Sequence, residues 1–205
     1  MVFFSLDVFL NLYCSGQTSK VQKGVAIFSK CLLMPLLLLL YLSFVGRDYI
    51  IWVVYALSFH TVGDILLIPD KKVSFGLGMT AFLLGHLCYA KAFFISSIQQ
   101  NYLILIIAVS IIALVEVRAY RILSEKDKFF AKAALSYSIG IILVIIAISF
   151  RFNATYIMAL TGISLFAFSD FRIGLNVTKI RETSKAVVMA TYIGGQALMV
   201  CSFII

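Results

Sequence analysis

The stretch YIIWVVYALSFHTVGDILL, residues 49–67, is a membrane-length apolar run with one carboxylate, Asp64, near its end. Crossing the hydrocarbon core takes about 20 mostly apolar residues in a helix, which satisfies every backbone N–H and C=O internally. An ionised group at mid-membrane costs about 2.5–3.5 kcal/mol on insertion scales, so Asp64 calls for an explanation. A second run, SLFAFSDF at 164–171, repeats the arrangement around Asp170. These two carboxylates are the first candidates for chemistry.

The whole chain has the same character. Of 205 residues, 62% are hydrophobic and 13% charged, with mean hydropathy +1.06, which excludes an ordinary soluble domain. Charged and polar breaks predict an all-α polytopic transmembrane bundle of about eight helices. They fall near 2–15, 25–44, 49–67, 75–97, 101–121, 130–150, 154–175 and 185–205, in a single integral membrane domain, 1–205. The first segment is short and contains Asp7, which leaves open an interfacial placement. It lacks a basic leader and a small-residue cleavage site, unlike a removable signal peptide.

Lys and Arg set the orientation. The connections after helices 1, 3, 5 and 7, with adjoining helix ends, hold Lys20, Lys23, Lys71, Lys72, Arg118, Arg121, Lys126, Lys128, Lys132, Arg172, Lys179, Arg181 and Lys185; the opposite ones hold Arg47 and Arg151. The positive-inside rule then puts the odd connections in the cytoplasm and both termini outside. The net charge of +8 is mostly topogenic, and short connections leave no basic face for nucleic acid. Cys14, Cys31, Cys88 and Cys201 show neither CxxC nor CxxxH spacing, so neither disulfides nor a thiolate metal site is indicated. Pro35 is a candidate kink in helix 2, one turn beyond Lys30.

Depth sharpens the picture. At 1.5 Å per residue Asp64 lies about 9 Å inside the cytoplasmic boundary, Asp170 at most about 13 Å, and Lys30 and Tyr192 about 10 Å, with His86 and Gln196 deeper. The costly polar groups thus share one half of the bundle. Helical spacing puts His86 with Tyr89, Tyr192 with Gln196, and His60 with Asp64 on common faces. An aromatic and glycine stripe on helix 4, from Phe75 and Gly78 to Phe93, fits tight helix packing. His86 differs, because imidazole titrates near 6.5 and carries protons readily.

In order along the chain, KCLLMPLLLL at 30–39, ALSFHTVGDILL at 56–67, FGLGMTAFLLGHLCYAKAF at 75–93, FAFSDF at 166–171 and TYIGGQAL at 191–198 resemble the YhhN-like lysoplasmalogenases across helices 2 to 8. The most specific element is the Gly63-Asp64 pair, followed by His86 with Tyr89 three further on. His60 stands where a small hydroxyl residue is expected, and the first helix is short.

The resemblance implies hydrolysis of the vinyl ether bond of lysoplasmalogens to a fatty aldehyde and glycerophosphoethanolamine or glycerophosphocholine. Vinyl ethers resist nucleophiles and yield to acid. Protonation of the alkenyl β-carbon gives an oxocarbenium ion, which water captures as a hemiacetal that collapses. Two carboxyl groups in one poorly solvated site suit that chemistry, one protonated and one ionised. The expected catalytic residues are Asp64, Asp170 and His86, the last handling water or the hemiacetal proton; the sequence leaves open which Asp is the acid. Tyr89, Ser169, Asn176, Tyr192 and Gln196 are candidate orienting donors, and Lys30 a partner for a carboxylate or the lipid phosphate. Arg118 and Arg172 fit topology signals better than phosphate ligands. No metal or organic cofactor is expected; the partners are the lysophospholipid and membrane lipids, and the setting a bacterial inner membrane with the site in its cytoplasmic half. A proton-coupled transporter and a metal-dependent lipid hydrolase using His60, Asp64, His86 and Asp170 are the alternatives. Headgroup preference and oligomeric state are not legible.

Overall fold

A computed structural model describes residues 1–15, 20–69, 71–96, 102–150, 155–180 and 184–205. Eight helices form among them: α1 Val2–Ser15, α2 Lys20–Val45, α3 Ile51–Leu66, α4 Lys72–Ile95, α5 Tyr102–Ser124, α6 Lys128–Ser149, α7 Tyr156–Val177 and α8 Lys185–Ile204. The described residues contain no strand. Five helices, α2, α4, α6, α7 and α8, are long and apolar enough to cross a membrane, as expected of an integral multi-pass protein. Helices α1 and α3 are shorter; α3's 16 residues rise about 24 Å.

The largest departure from the expected boundaries is at the start of α2, followed by the start of α4 and the end of α5, which lies at Ser124 and not 121. Helix α2 begins at Lys20, not 25, and α4 at Lys72, not 75, because the backbone stays helical through the lysine-bearing turn beyond the apolar run. The expected boundaries at 97, 101 and 154 lie outside the described residues. Helix α1 packs along α2 and α8, burying Asp7, Asn11 and Cys14; Asn11 Nδ2 donates to the Ala26 carbonyl at 3.0 Å and Ser29 Oγ to that of Asp7 at 2.9 Å. Pro35 is accommodated inside α2 without ending it.

The turn from α2 to α3 is made at Gly46, whose φ of 59° is readily open only to glycine, and whose N–H closes on Leu42 O at 3.0 Å. The Ile50 N–H donates to Tyr41 Oη at 2.8 Å, tying the next helix back to α2. Asp127 begins α6. It accepts from Lys72 Nζ at 2.8 Å and from the Phe129 N–H at 2.8 Å, and these donors hold its carboxyl below the ordinary value. The cap and pair therefore persist above the usual carboxylate range and fail as pH falls through the lowered value.

Helix pairs α7 with α8, α3 with α4 and α4 with α6 pack most extensively around a core that includes Leu33, Leu37, Phe82, Tyr89, Ile141, Phe166 and Met199. Small residues bring α7 and α8 together: a Cβ at Gly195 would meet Gly162 O at 2.7 Å and Phe166 N at 2.9 Å. Both obstacles are backbone and cannot turn aside. Gly195→Ala is expected to cost about 1–3 kcal/mol of stability, the usual penalty of overpacking. Gly24→Ala, with nothing within 4 Å, should cost none. Thermal unfolding of the two purified variants in detergent checks the difference.

Candidate functional site

Asp64 is 1% exposed, on the last turn of α3. Lys30 Nζ on α2 lies 3.3 Å from its Oδ1, and Tyr192 Oη on α8 donates to its Oδ2 at 2.7 Å. Among the described residues Oδ1 has no hydrogen-bond donor, and the Lys30 ammonium compensates it as an ion pair. Three helices thus converge on one carboxylate, and Lys30 pairs with it rather than lying idle.

Asp170 on α7 is half-buried and accepts a hydrogen bond from Tyr137 Oη on α6. Both carboxylates line one cavity of about 300 Å³, with Lys30, Tyr137 and Tyr192. The rest of its wall is overwhelmingly apolar, including Phe82, Ile111, Leu123, Ile141, Phe168 and Met189. The paired carboxyl groups therefore face a chamber suited to a hydrocarbon chain.

The other candidates occupy different places. His86 does not line this cavity. Its Nδ1 turns back to the Phe82 carbonyl at 2.7 Å, which can only accept, so Nδ1 carries the proton and Nε2 the lone pair. The ring meets Tyr137 edge-on, centroids 5.2 Å apart and planes at 90°, and so touches the phenol that serves Asp170. Tyr89 Oη donates to Gln196 Oε1 at 3.0 Å, and Gln196 Nε2 donates to His60 Nδ1 at 2.8 Å. His60 must then carry its proton on Nε2. Tyr89, Gln196 and His60 form a buried relay behind the cavity. Ser169 lines the cavity but spends its hydroxyl on the Val188 carbonyl at 3.0 Å, joining α7 to α8. Arg118 is exposed, and Arg172 sits 5.7 Å from the Phe168 ring. Among the described residues no three His, Cys, Asp or Glu side chains converge as metal ligands; His60, Asp64, His86 and Asp170 do not form such a set.

Sequence reading missed two contributors. Tyr137 is one of ten tyrosines, on a helix without a buried charge to attract notice, and only the α6 to α7 register reveals its partner. Gly85 makes room for His60: a Cβ there would fall 2.4 Å from His60 Cδ2.

A second cavity, of about 670 Å³, opens beside the first, and Lys30, Leu67, Phe75 and Met189 line both. Its walls come from the ends of α1, α3 and α7 and the starts of α2, α4, α6 and α8, which shows the alternating direction of the helices. Asn176 lines this outer cavity, not the inner one.

Residues 25–203 match the model of the YhhN family, and the chain belongs to that family. No curated protein and no solved structure matches it.

The ion pair gives the site a stability signature. Lys30→Met strands a buried carboxylate and is expected to cost about 3–5 kcal/mol. Lys30→Met combined with Asp64→Asn should recover most of that loss. Unfolding midpoints of the single and double variants decide it: equal losses would show that the ammonium does not compensate the carboxylate.

Proposed function

We propose that this YhhN family member, whose family includes lysoplasmalogenases, hydrolyses the vinyl ether bond of single-chain alkenyl phospholipids. One observation carries the reading: Asp64 and Asp170 line the same apolar cavity, each held by a tyrosine from a different helix. The apolar wall suits an alkenyl chain, whose one reactive bond yields to acid, and the two carboxyl groups supply the acid there.

The reaction is R–CH=CH–O–R′ + H₂O → R–CH₂–CHO + HO–R′. Asp64, 3.3 Å from the Lys30 ammonium, serves as the anion on this reading and stabilises the oxocarbenium charge as that charge develops. Asp170 then serves as the acid, giving its proton to the alkenyl β-carbon, with Tyr137 fixing the carboxyl orientation. Water adds to the cation and passes its proton to a carboxylate, and the hemiacetal loses the glycerol oxygen as an alcohol. Tyr192 donates to Asp64 and lines the same cavity as Asp170, so it stands beside both ends of the reacting bond. His86 acts at one remove, holding Tyr137 in place, and the relay of Tyr89, Gln196 and His60 fixes α8 against α3 and α4. The lysine-rich end faces the cytoplasm of a bacterial inner membrane on this reading, with the headgroup at that interface.

Aldehyde release from purified, detergent-solubilised protein tests the proposal directly. An alkenyl lysophospholipid should yield aldehyde, and its ester-linked counterpart none. Asp64→Asn and Asp170→Asn should each lower the rate by about 10²-fold or more, the usual scale for general acid catalysis, at a temperature below the unfolding midpoint measured for each variant. No aldehyde from the folded parent protein would overturn the reading and favour proton-coupled transport, for which uptake into proteoliposomes is the corresponding assay.

A further inference from the structure

The outer cavity carries charge that the chemistry above does not use. Lys23, Lys30, Lys71, Lys72 and Lys185 line it, and none of the described lining residues is acidic. Two of the five are committed, Lys30 to Asp64 at 3.3 Å and Lys72 to Asp127 at 2.8 Å. Lys23, Lys71 and Lys185 have no ion pair among the described residues. These three come from α2, from the residue before α4, and from α8, so their convergence is tertiary rather than a run in the chain. Positive-inside bias puts lysines at this end of the bundle without choosing a face. Lys126, Lys128, Lys132 and Lys179 share the end and do not line the opening. The first turns of α4 and α8 also lie on this wall, and their amide dipoles add to the positive potential.

We infer that this vestibule is a subsite for the phosphate of the substrate headgroup, held by Lys23, Lys71 and Lys185, and that it selects headgroups by net negative charge. The inference rests on the proposed function for the nature of the bound lipid. An amphiphile whose chain occupies the inner cavity has its phosphate in the outer one, because the two share a wall at Lys30 and Met189. The ammonium of an ethanolamine or choline headgroup meets lysines there and no described carboxylate. A phosphate monoester or phosphoglycerol headgroup therefore binds more tightly than a zwitterionic one. Lys23 and the α1 wall lie outside residues 25–203, the part of the chain that matches the family.

Saturated alkyl ethers separate this subsite from the reaction, since they carry no vinyl ether to cleave. The probes are a single-chain alkyl glycerophosphate, the matching alkyl glycerophosphocholine and the headgroup-free alkyl glycerol, titrated onto the purified full chain in neutral detergent. The alkyl glycerophosphate should bind about tenfold or more tighter than either of the others, and K23Q/K71Q/K185Q should erase that advantage while leaving the alkyl glycerol unchanged. A salt series on the unmodified chain gives the same reading without a variant, weakening the phosphate ligand alone. Equal affinity for all three ligands, or an advantage that survives in the triple variant, overturns the subsite even where aldehyde is released. The expected order in a protein that releases no aldehyde supports the subsite and removes the chemistry. Soluble glycerophosphate competing as well as its alkyl ether would assign the lysines to a free phosphate ester and overturn the lipid headgroup.

Discussion

A carboxylate that is 1% exposed inside an apolar bundle is tolerable only while a cation and a hydroxyl reach it, and here they arrive from two other helices. Asp64 therefore makes a demand on the register of α2 and α8 against α3 that no apolar contact makes. Leucine against leucine tolerates a slide of one turn; an ammonium 3.3 Å from a carboxylate oxygen does not. The close approach of α7 and α8 at Gly162 and Gly195 extends the same constraint, since it fixes where α7 presents Asp170 relative to Tyr192. Position is thereby set by the costliest group present, and the cheaper apolar packing fits around it.

The cavities divide the labour by polarity. The inner one is nearly all hydrocarbon and aromatic surface with two carboxyl groups let into its wall, whereas the outer one is rimmed by ammonium groups. An amphiphile matches that sequence of environments in one orientation only. On this reading the depth at which the carboxylates lie defines which bond along the chain is presented to them. The tyrosines serve the carboxyl groups without adding charge, which keeps the chamber hospitable to a lipid tail.

The eight helices were legible because charged or polar breaks separate the apolar runs, and that pattern depends on nothing beyond local sequence. Helix starts at Lys20 and Lys72 were less so, since a backbone continues its hydrogen bonding past the last apolar residue for as long as the side chains can reach water. The convergence of Lys30, Asp64 and Tyr192 could be anticipated from their common depth, and Asp170 from its own cost. The place of His86 could not. Its titration range suggested a place beside the carboxylates, but its Nδ1 turns back along its own helix onto the Phe82 carbonyl four residues before, and the partner of Asp170 in that region proves to be Tyr137. Neither the rotamer of a buried ring nor the pairing of an uncharged phenol leaves a trace in a single sequence.

The notch that Gly85 leaves for the His60 ring couples two positions 25 residues apart. A Cβ at 85 would fall 2.4 Å from His60 Cδ2 and 2.5 Å from its Nε2, so a side chain there would push the imidazole out of its present place. The ring at 60 is thus conditional on the absence of a side chain at 85. Even with a small side chain at 60, a Cβ at 85 would still stand 3.1 Å from the Ala56 carbonyl, which is backbone, so α3 and α4 approach too closely here for position 85 to be freed by a change at 60 alone.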